Sequence, residues 1–217
     1  MTLPEYIENH TTPADPVLNA VERWAHLHTA QPQMICGPVE GTLLTILTRS
    51  TDAKTAVEIG SFVGYSTICI ARGLSSGGRL HAFEINEEFE APIRRHLEMA
   101  GVGERVVLHI GDAKQLLEKT MCGMDATPAE VDFAFIDAEK RSCRFFYDLL
   151  VPMMRPGGLI LVDNVLWGGK VTDVDNCNDL DTRTFRDFND YVHSDTRVTN
   201  ILLPVRDGLL LAMKNFT

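Results

Sequence analysis

Asp137, Asp163 and Asn164 close two strand-like runs, Phe135-Ile136-Asp137-Ala138-Glu139-Lys140 and Leu161-Val162-Asp163-Asn164-Val165-Leu166-Trp167. Two carboxylates and an amide are hard oxygen donors, the ligands that hold Mg²⁺ or Ca²⁺. Lys140 follows the first of them by three residues. If the two runs are neighbouring strands, these four side chains meet at one edge of a sheet. A divalent metal beside a lysine can deprotonate a bound hydroxyl.

A second group lies upstream, in Glu58-Ile59-Gly60-Ser61-Phe62-Val63-Gly64-Tyr65-Ser66. Gly60 and Gly64 bracket a strand-to-helix turn, where missing Cβ atoms let a ligand approach the backbone. Ser66 falls in the first helical turn, whose unbonded N–H groups attract a carboxylate or other anion. Glu84 ends the next run, 24 residues after Gly60, where a carboxylate can accept both hydrogen bonds of a ribose diol. Taken singly, these are an ordinary βα turn and a solvated strand end. In register they point to a nucleoside-type ligand. Asp112 ends the third run, placed either to cap the next helix or to face an adenine ring. A dinucleotide would need a pyrophosphate cradle, usually G-x-G-x-x-G, and here Glu58 stands two residues before Gly60. That acid repels phosphates but suits a cationic amino-acid ligand such as S-adenosylmethionine.

These residues need a scaffold of alternating strands and helices. Apolar residues at helical spacing predict helices over Pro16–Thr29 and Val39–Ser50. After Lys54 short apolar runs alternate with amphipathic stretches, the pattern of a mostly parallel sheet. Strands are expected at Ala56–Ile59, Arg79–Phe83, Val106–Ile110, Val131–Ile136 and Leu159–Val162. Helices are expected at Tyr65–Leu74, Glu87–Ala100, Ala113–Lys119 and Arg144–Met154, the last stopped by Pro156-Gly157-Gly158. A helix near Thr182–His193 precedes Val198–Leu203 and Leu209–Lys214, which Pro204-Val205-Arg206-Asp207-Gly208 turns into an antiparallel hairpin. Asp173, Asp175, Asp179 and Asp181 lack calcium-loop spacing and read as a solvated loop and helix start.

The chain has 217 residues and a net charge of −10, with ordinary apolar and charged fractions. That length suits one well-buried domain. The acidic balance disfavours non-specific nucleic-acid binding, which depends on basic residues neutralising phosphates. Five cysteines (Cys36, Cys69, Cys122, Cys143, Cys177) form no C-x-x-C pair, which fits reduced thiols in a cytoplasmic protein. The first residues carry neither a basic nor an apolar signal region, and no apolar run is long enough to span a bilayer.

The loop from Glu58 to Ser66, Glu84, Phe135–Lys140, Pro156-Gly157-Gly158, Asp163–Trp167 and the Pro204–Gly208 turn together resemble the cation-dependent O-methyltransferases, the family of caffeoyl-CoA and catechol O-methyltransferases. The resemblance covers roughly residues 34–214. It implies a Rossmann-like class I S-adenosylmethionine-dependent methyltransferase: an α/β fold with a mainly parallel seven-stranded sheet and a C-terminal antiparallel hairpin. It implies one domain over 1–217, with N-terminal helices to residue 50 and the core from residue 54. It implies Mg²⁺ (or Ca²⁺ or Mn²⁺) held by Asp137, Asp163 and Asn164, and Lys140 as catalytic base. Gly60, Ser66, Glu84 and Ala113 would line the S-adenosylmethionine site, with Ile35 and Gly41 at its methionine end and Glu58, Ser61, Gly64, Tyr65, Asp112 and Asp137 completing it. Lys140, Asn164 and Trp167 would meet the acceptor, a small hydroxylated aromatic. The family precedent is a homodimer.

Three departures stand out: Asp-Ala-Glu-Lys replaces the family's Asp-Ala-Asp-Lys, Cys143 replaces a following tyrosine, and Gly41-Thr42-Leu43-Leu44 replaces Gly-Gln-Phe-Leu. They fall on the pocket, not on the metal ligands or the base. Two other readings stay open. One is a member of the same family acting on hydroxylated uridine in tRNA, for which Arg94, Arg95, Arg141 and Arg144 would form a basic patch. The other is a catalytically silent S-adenosylmethionine-binding protein.

Overall fold

In the computed structural model, residues 1–121, 130–175, 177 and 179–216 are described; Cys122 lies outside them. The chain forms two compact units, Met1–Ala113 and Lys114–Thr217.

The first unit begins with three helices, α1 (Leu3–Asn9), α2 (Pro16–His28) and α3 (Gly37–Ser50). The first of these has no counterpart among the expected elements. A capping box between Thr2 and Glu5 starts it, yet none of its residues is buried. There is no apolar stripe to find. Three parallel strands follow, β1 (Thr55–Ile59), β2 (Arg79–Glu84) and β3 (Val106–Ile110), in the order β3-β2-β1, with α4 (Tyr65–Gly73) and α5 (Glu90–Met99) as crossovers.

Close approach of α3 to α4 explains one sequence choice. A Cβ on Gly41 would come within 2.8 Å of the Cys69 Sγ and 3.0 Å of the Tyr65 ring. The Thr45 hydroxyl bonds the Gly41 carbonyl (3.0 Å) and the Cys69 carbonyl (2.9 Å), tying the two helices together.

The second unit contains α6 (Ala113–Met121) beyond its first residue, then β4 (Val131–Ile136), α7 (Cys143–Leu150), β5 (Met154–Val162), α8 (Leu180–His193), β6 (Val198–Leu203) and β7 (Leu209–Lys214). Every residue of β4 is buried, as a strand covered on both faces requires. It pairs in parallel with β5, so the two runs that carry the oxygen donors are neighbours, with Ile136 opposite Val162. β7 runs antiparallel to both β5 and β6. The seven strands form a mainly parallel sheet in the order β3-β2-β1-β4-β5-β7-β6.

One boundary differs from expectation. The helix expected to reach Met154 ends at Leu150, a 3-10 turn covers Val151–Met153, and β5 already includes Pro156-Gly157-Gly158. These residues do not stop a helix. They shift the strand register between Val131 and Phe133, with Gly157 at φ +77°. A proline without an N–H is tolerated in a strand only at such an irregularity or an edge. A Cβ on Gly158 would meet the backbone oxygens of Arg155 and Asp132 at 3.0 and 3.1 Å, so the second glycine is needed for clearance.

Asp179 caps α8 by accepting bonds from the Thr182 N–H (3.0 Å) and hydroxyl (2.7 Å), consistent with a solvated loop and helix start. Among the described residues no helix is long and apolar enough to cross a membrane.

Candidate active site

In the first unit the strand-to-helix turn has the geometry its glycines suggest. Gly60 (φ +96°) and Gly64 (φ +89°) both take left-handed backbone, and Gly64 caps α4. The Gly60 N–H continues the ladder to the Phe83 carbonyl at 2.9 Å. Ser66 is the second residue of α4 and is buried, as is Tyr65. Between the glycines, Phe62 also has positive φ (+47°), and its N–H donates to Glu84 Oε2 at 2.7 Å. The Asn86 N–H donates to Glu84 Oε1 at 2.9 Å. Glu84 is thus fixed by two backbone donors at the end of β2. Burial nevertheless pushes its carboxyl above the usual carboxylate range, against those bonds.

Glu58 is fully buried. Its Oε2 accepts from the Ser61 hydroxyl at 3.2 Å and the Thr67 hydroxyl at 2.5 Å. Desolvation raises its carboxyl from 4.5 to about 7, with three hydroxyls opposing the shift and the Glu84 charge adding to it. Its Oε1 is buried and has no protein partner. A buried acceptor left this way costs free energy until a donor reaches it, and a ligand ammonium is such a donor.

The remaining donor-side candidates are less polar. Ile35 is buried just after a 3-10 turn at Pro32–Met34, and Gly41 sits in the α3–α4 contact. Asp112 is half-buried, and Ala113 is buried at the start of α6.

In the second unit Asp163 and Asn164 directly follow β5. The Asp163 N–H bonds the Ile136 carbonyl at 3.1 Å, extending the β4–β5 pairing to the ligand positions. Asp163 is buried; its Oδ1 accepts from the Asn164 N–H (2.7 Å) and its Oδ2 from Asn164 Nδ2 (3.0 Å). Burial raises its carboxyl above the ordinary range; the Asp207 charge adds to this, while Arg206 and the Asn164 bonds oppose it. With Nδ2 committed to Asp163, Oδ1 is the Asn164 atom left to meet a cation. Asn164 holds φ +64°, a conformation asparagine tolerates better than most residues.

The charges of Asp137, Asp163 and Lys140 are all felt at the buried Cys143 thiol. Burial first, then both carboxylates, push it up to about 12, and Lys140 pulls the other way. So Asp137, Asp163 and Lys140 all lie within electrostatic reach of the Cys143 thiol. Lys140 Nζ lies 4.1 Å from the centre of the Trp167 ring, a cation–π contact, and the ring packs on Phe185 at 5.7 Å. The indole Nε1 is buried without a protein partner. Among the described residues no group of three or more His, Cys, Asp or Glu side chains is arranged to hold a metal. The expected set has only two carboxylates and completes itself with an amide. It suits a hard cation because a dication would offset the charge of the buried Asp163.

Phe62, Thr67 and Asn86 were not expected to take part. Their contributions, two backbone N–H groups and a hydroxyl nine residues from Glu58, depend on backbone conformation that residue types do not reveal.

The fold is a doubly wound α/β sheet with its polar residues at the strand ends. Within that class the chain belongs to the O-methyltransferase family, whose model matches residues 8–215. It is 31% identical to tricin synthase 2 of Oryza sativa over 182 residues, covering 82% of this chain and 62% of that protein. It is 34% identical to caffeoyl-CoA O-methyltransferase 2 of Zea mays, over 81% of this chain and 68% of that one. Among solved structures it is similar to the O-methyltransferase TomG of Streptomyces achromogenes, involved in tomaymycin synthesis and solved in complex with SAM (TM-score 0.85, 29% identity, 100% of both chains).

Proposed function

We propose that this chain, as one methyltransferase domain over residues 1–217, transfers a methyl group from S-adenosylmethionine to a hydroxyl of a catechol-like or hydroxycinnamoyl-type small molecule, and that it needs a divalent cation to do so. The observation that carries the reading is Lys140 stacked on Trp167 in the unit where Asp137, Asp163 and Asn164 follow paired strands. The SAM complex of TomG supports the donor, and the relatives' names support a phenolic acceptor.

Glu84 would receive the ribose hydroxyls, and the Gly60–Gly64 turn would admit the methionine portion close to the backbone. Glu58 Oε1 would accept from the ligand's ammonium. When bound, the sulfonium supplies an electrophilic methyl and the cation supplies Lewis-acid polarisation of the acceptor oxygens. Asp137, Asp163 and Asn164 Oδ1 would hold that cation, leaving positions open for two vicinal oxygens. Lys140 Nζ would take the proton of the acceptor hydroxyl, whose oxygen would form the new bond to the methyl carbon as the carbon–sulfur bond breaks. Trp167 provides an aromatic face against which a flat acceptor and the Lys140 side chain are both ordered.

The tRNA reading has less support. Arg94, Arg141 and Arg144 pair with Glu90, Asp181 and Asp148, so three of the four arginines of the suggested patch are partly neutralised. A cytoplasmic homodimer accords with the family precedent; sedimentation of the purified chain tests the dimer.

The acceptor is tested with tritiated S-adenosylmethionine against a panel of catechols and hydroxycinnamoyl compounds and against unmodified tRNA, each with Mg²⁺ and with EDTA. Metal-dependent label in a catechol-type compound is the expected result. Label confined to tRNA would transfer the reading to the second substrate class, and no label in any acceptor would leave a binding protein.

A further inference from the structure

The segment from Asn164 to Gly169 carries Trp167, yet its backbone has little to hold it. Asn164 (φ +64°), Trp167 (φ +50°), Gly168 (φ +63°) and Gly169 (φ +78°) are all left-handed, a run that neither helix nor strand pairing can secure. Its internal bonds are two short turns, from the Trp167 N–H to the Asn164 carbonyl (3.1 Å) and from the Gly169 N–H to the Leu166 carbonyl (3.0 Å).

What grips it is the turn between β6 and β7. The Val165 N–H donates to the Gly208 carbonyl (3.1 Å), and the Leu166 N–H to the Asp207 carbonyl (2.8 Å). The Gly168 N–H donates to the Asp207 carboxylate Oδ1. Three of the four N–H groups from Val165 to Gly168 are therefore satisfied by two residues of a distant turn. Gly208 sits at φ +91°, and a Cβ there would lie 2.4 Å from Leu166 Cγ, so contact with the loop admits no side chain. On the other side, Asn189 of α8 donates to the Val165 carbonyl at 3.0 Å.

We propose that Asp207 and Gly208 are positioning residues for the acceptor side of the site: they fix the Asn164–Gly169 loop and, through Trp167, the place of the Lys140 ammonium. The inference rests on the proposed reaction for its consequence but not for its geometry. A hairpin turn that merely closed two strands would need no bond from its aspartate side chain to a separate loop. Here the side chain, both main-chain carbonyls and the absence of a Cβ all serve that loop. Asp207 touches none of the reacting groups, so its effect must appear as a change in the placement of Trp167.

The test uses the full chain with Trp24→Phe, which leaves Trp167 as the one indole among its two tryptophans. The longest-wavelength near-ultraviolet dichroism bands, to which tyrosine and phenylalanine do not contribute, then read Trp167 alone, alongside thermal unfolding and the steady-state constants for an accepted phenol. Asp207→Ala should lose most of the Trp167 band while far-ultraviolet dichroism is retained, and should lower kcat on the order of a hundredfold with the KM for the methyl donor unchanged. Asp207→Asn keeps an oxygen acceptor for the Gly168 N–H and should restore both band and rate. An unchanged band and rate in Asp207→Ala, or an equal loss in Asp207→Asn, overturns the proposal.

Amide hydrogen exchange on the unsubstituted chain provides a measurement independent of any variant's folding. The Leu166 and Gly168 amides should be protected at least about tenfold over unstructured rates. Free exchange at both overturns the clamp. Protection and the Trp167 band report on the clamp, whereas absence of turnover in the unsubstituted chain counts against the reaction, so the two failures are distinguishable.

Discussion

Residues 58–67 and residues 163–169 are both polar turns at the end of a buried strand, yet they are held in different ways. The first is held from within. Gly60 and Gly64 allow the backbone path, Phe62 bonds Glu84, and Ser61 and Thr67 bond Glu58, all between the ends of β1 and β2 and the start of α4. The second is held from outside, by Asp207, Gly208 and Asn189, and its Trp167 ring carries the Lys140 side chain. A turn bonded to its own strands is ready before a ligand arrives. A turn whose buried carboxylate stays above the ordinary range despite the Asn164 bonds and the Arg206 charge, and whose indole Nε1 has no protein partner, leaves part of its electrostatics to be completed by what binds. Under the proposed function the donor would fall to the preorganised side and the cation and acceptor to the other.

Removing Lys140 should break this division most sharply. Lys140→Ala is expected to lower turnover by about 10³-fold, within the range of a positioned base, with S-adenosylmethionine affinity unchanged by calorimetry. Turnover near normal would remove Lys140 from the chemistry.

Glu84→Gln tests the opposite side. The substitution places an NH₂ against one of the backbone donors that now bond a carboxylate, and bonds to a charged group are worth about 1.5–3 kcal/mol. Donor affinity should fall by roughly tenfold to a hundredfold, while the rate at saturating donor stays within a few-fold. A loss of rate without loss of affinity would contradict the assignment.

The smallest effect concerns Glu58 and stability. Its carboxyl is raised from 4.5 to about 7, so between these values the folded chain holds a proton that the unfolded chain has released. The contribution is complete below pH 4.5 and is lost as pH rises towards 7, on the order of 3 kcal/mol. Thermal unfolding of the free protein should therefore lose more stability from pH 5 to 7 than Glu58→Gln does. Parallel slopes for the two proteins would place Glu58 outside this account.

Much of both turns could be read from residue types. Gly60, Gly64 and Glu84 are each ordinary for a βα turn or a strand end, and it is their register that makes the turn legible as a ligand site. Continuous apolar runs mark β4 and β5 as buried strands, so Asp163 and Asn164 could be joined with Asp137 on the condition that the two are neighbours, which their pairing supplies. What the sequence did not disclose depends on conformation or on distant contacts. Phe62 takes a positive φ that no residue pattern announces. Thr67 bonds Glu58 only once α4 has formed. Helix α1 buries nothing, so it has no periodicity. Pro156-Gly157-Gly158 signals a break equally well as a helix stop or as a strand irregularity, and only the pairing of β4 with β5 decides between them. The Pro204–Gly208 turn was legible as a turn, but not as the support of a loop some forty residues away.

The central claim is that donor binding and methyl transfer depend on different halves of the machinery, only one of which needs a cation. Isothermal titration of S-adenosylmethionine into the protein in Mg²⁺ and in EDTA, paired with transfer to an accepted phenol in the same buffers, tests it most directly. The expected result is an affinity within about twofold in the two buffers and transfer reduced to background by EDTA. Transfer that persists in EDTA, or donor binding that disappears with the metal, would contradict it.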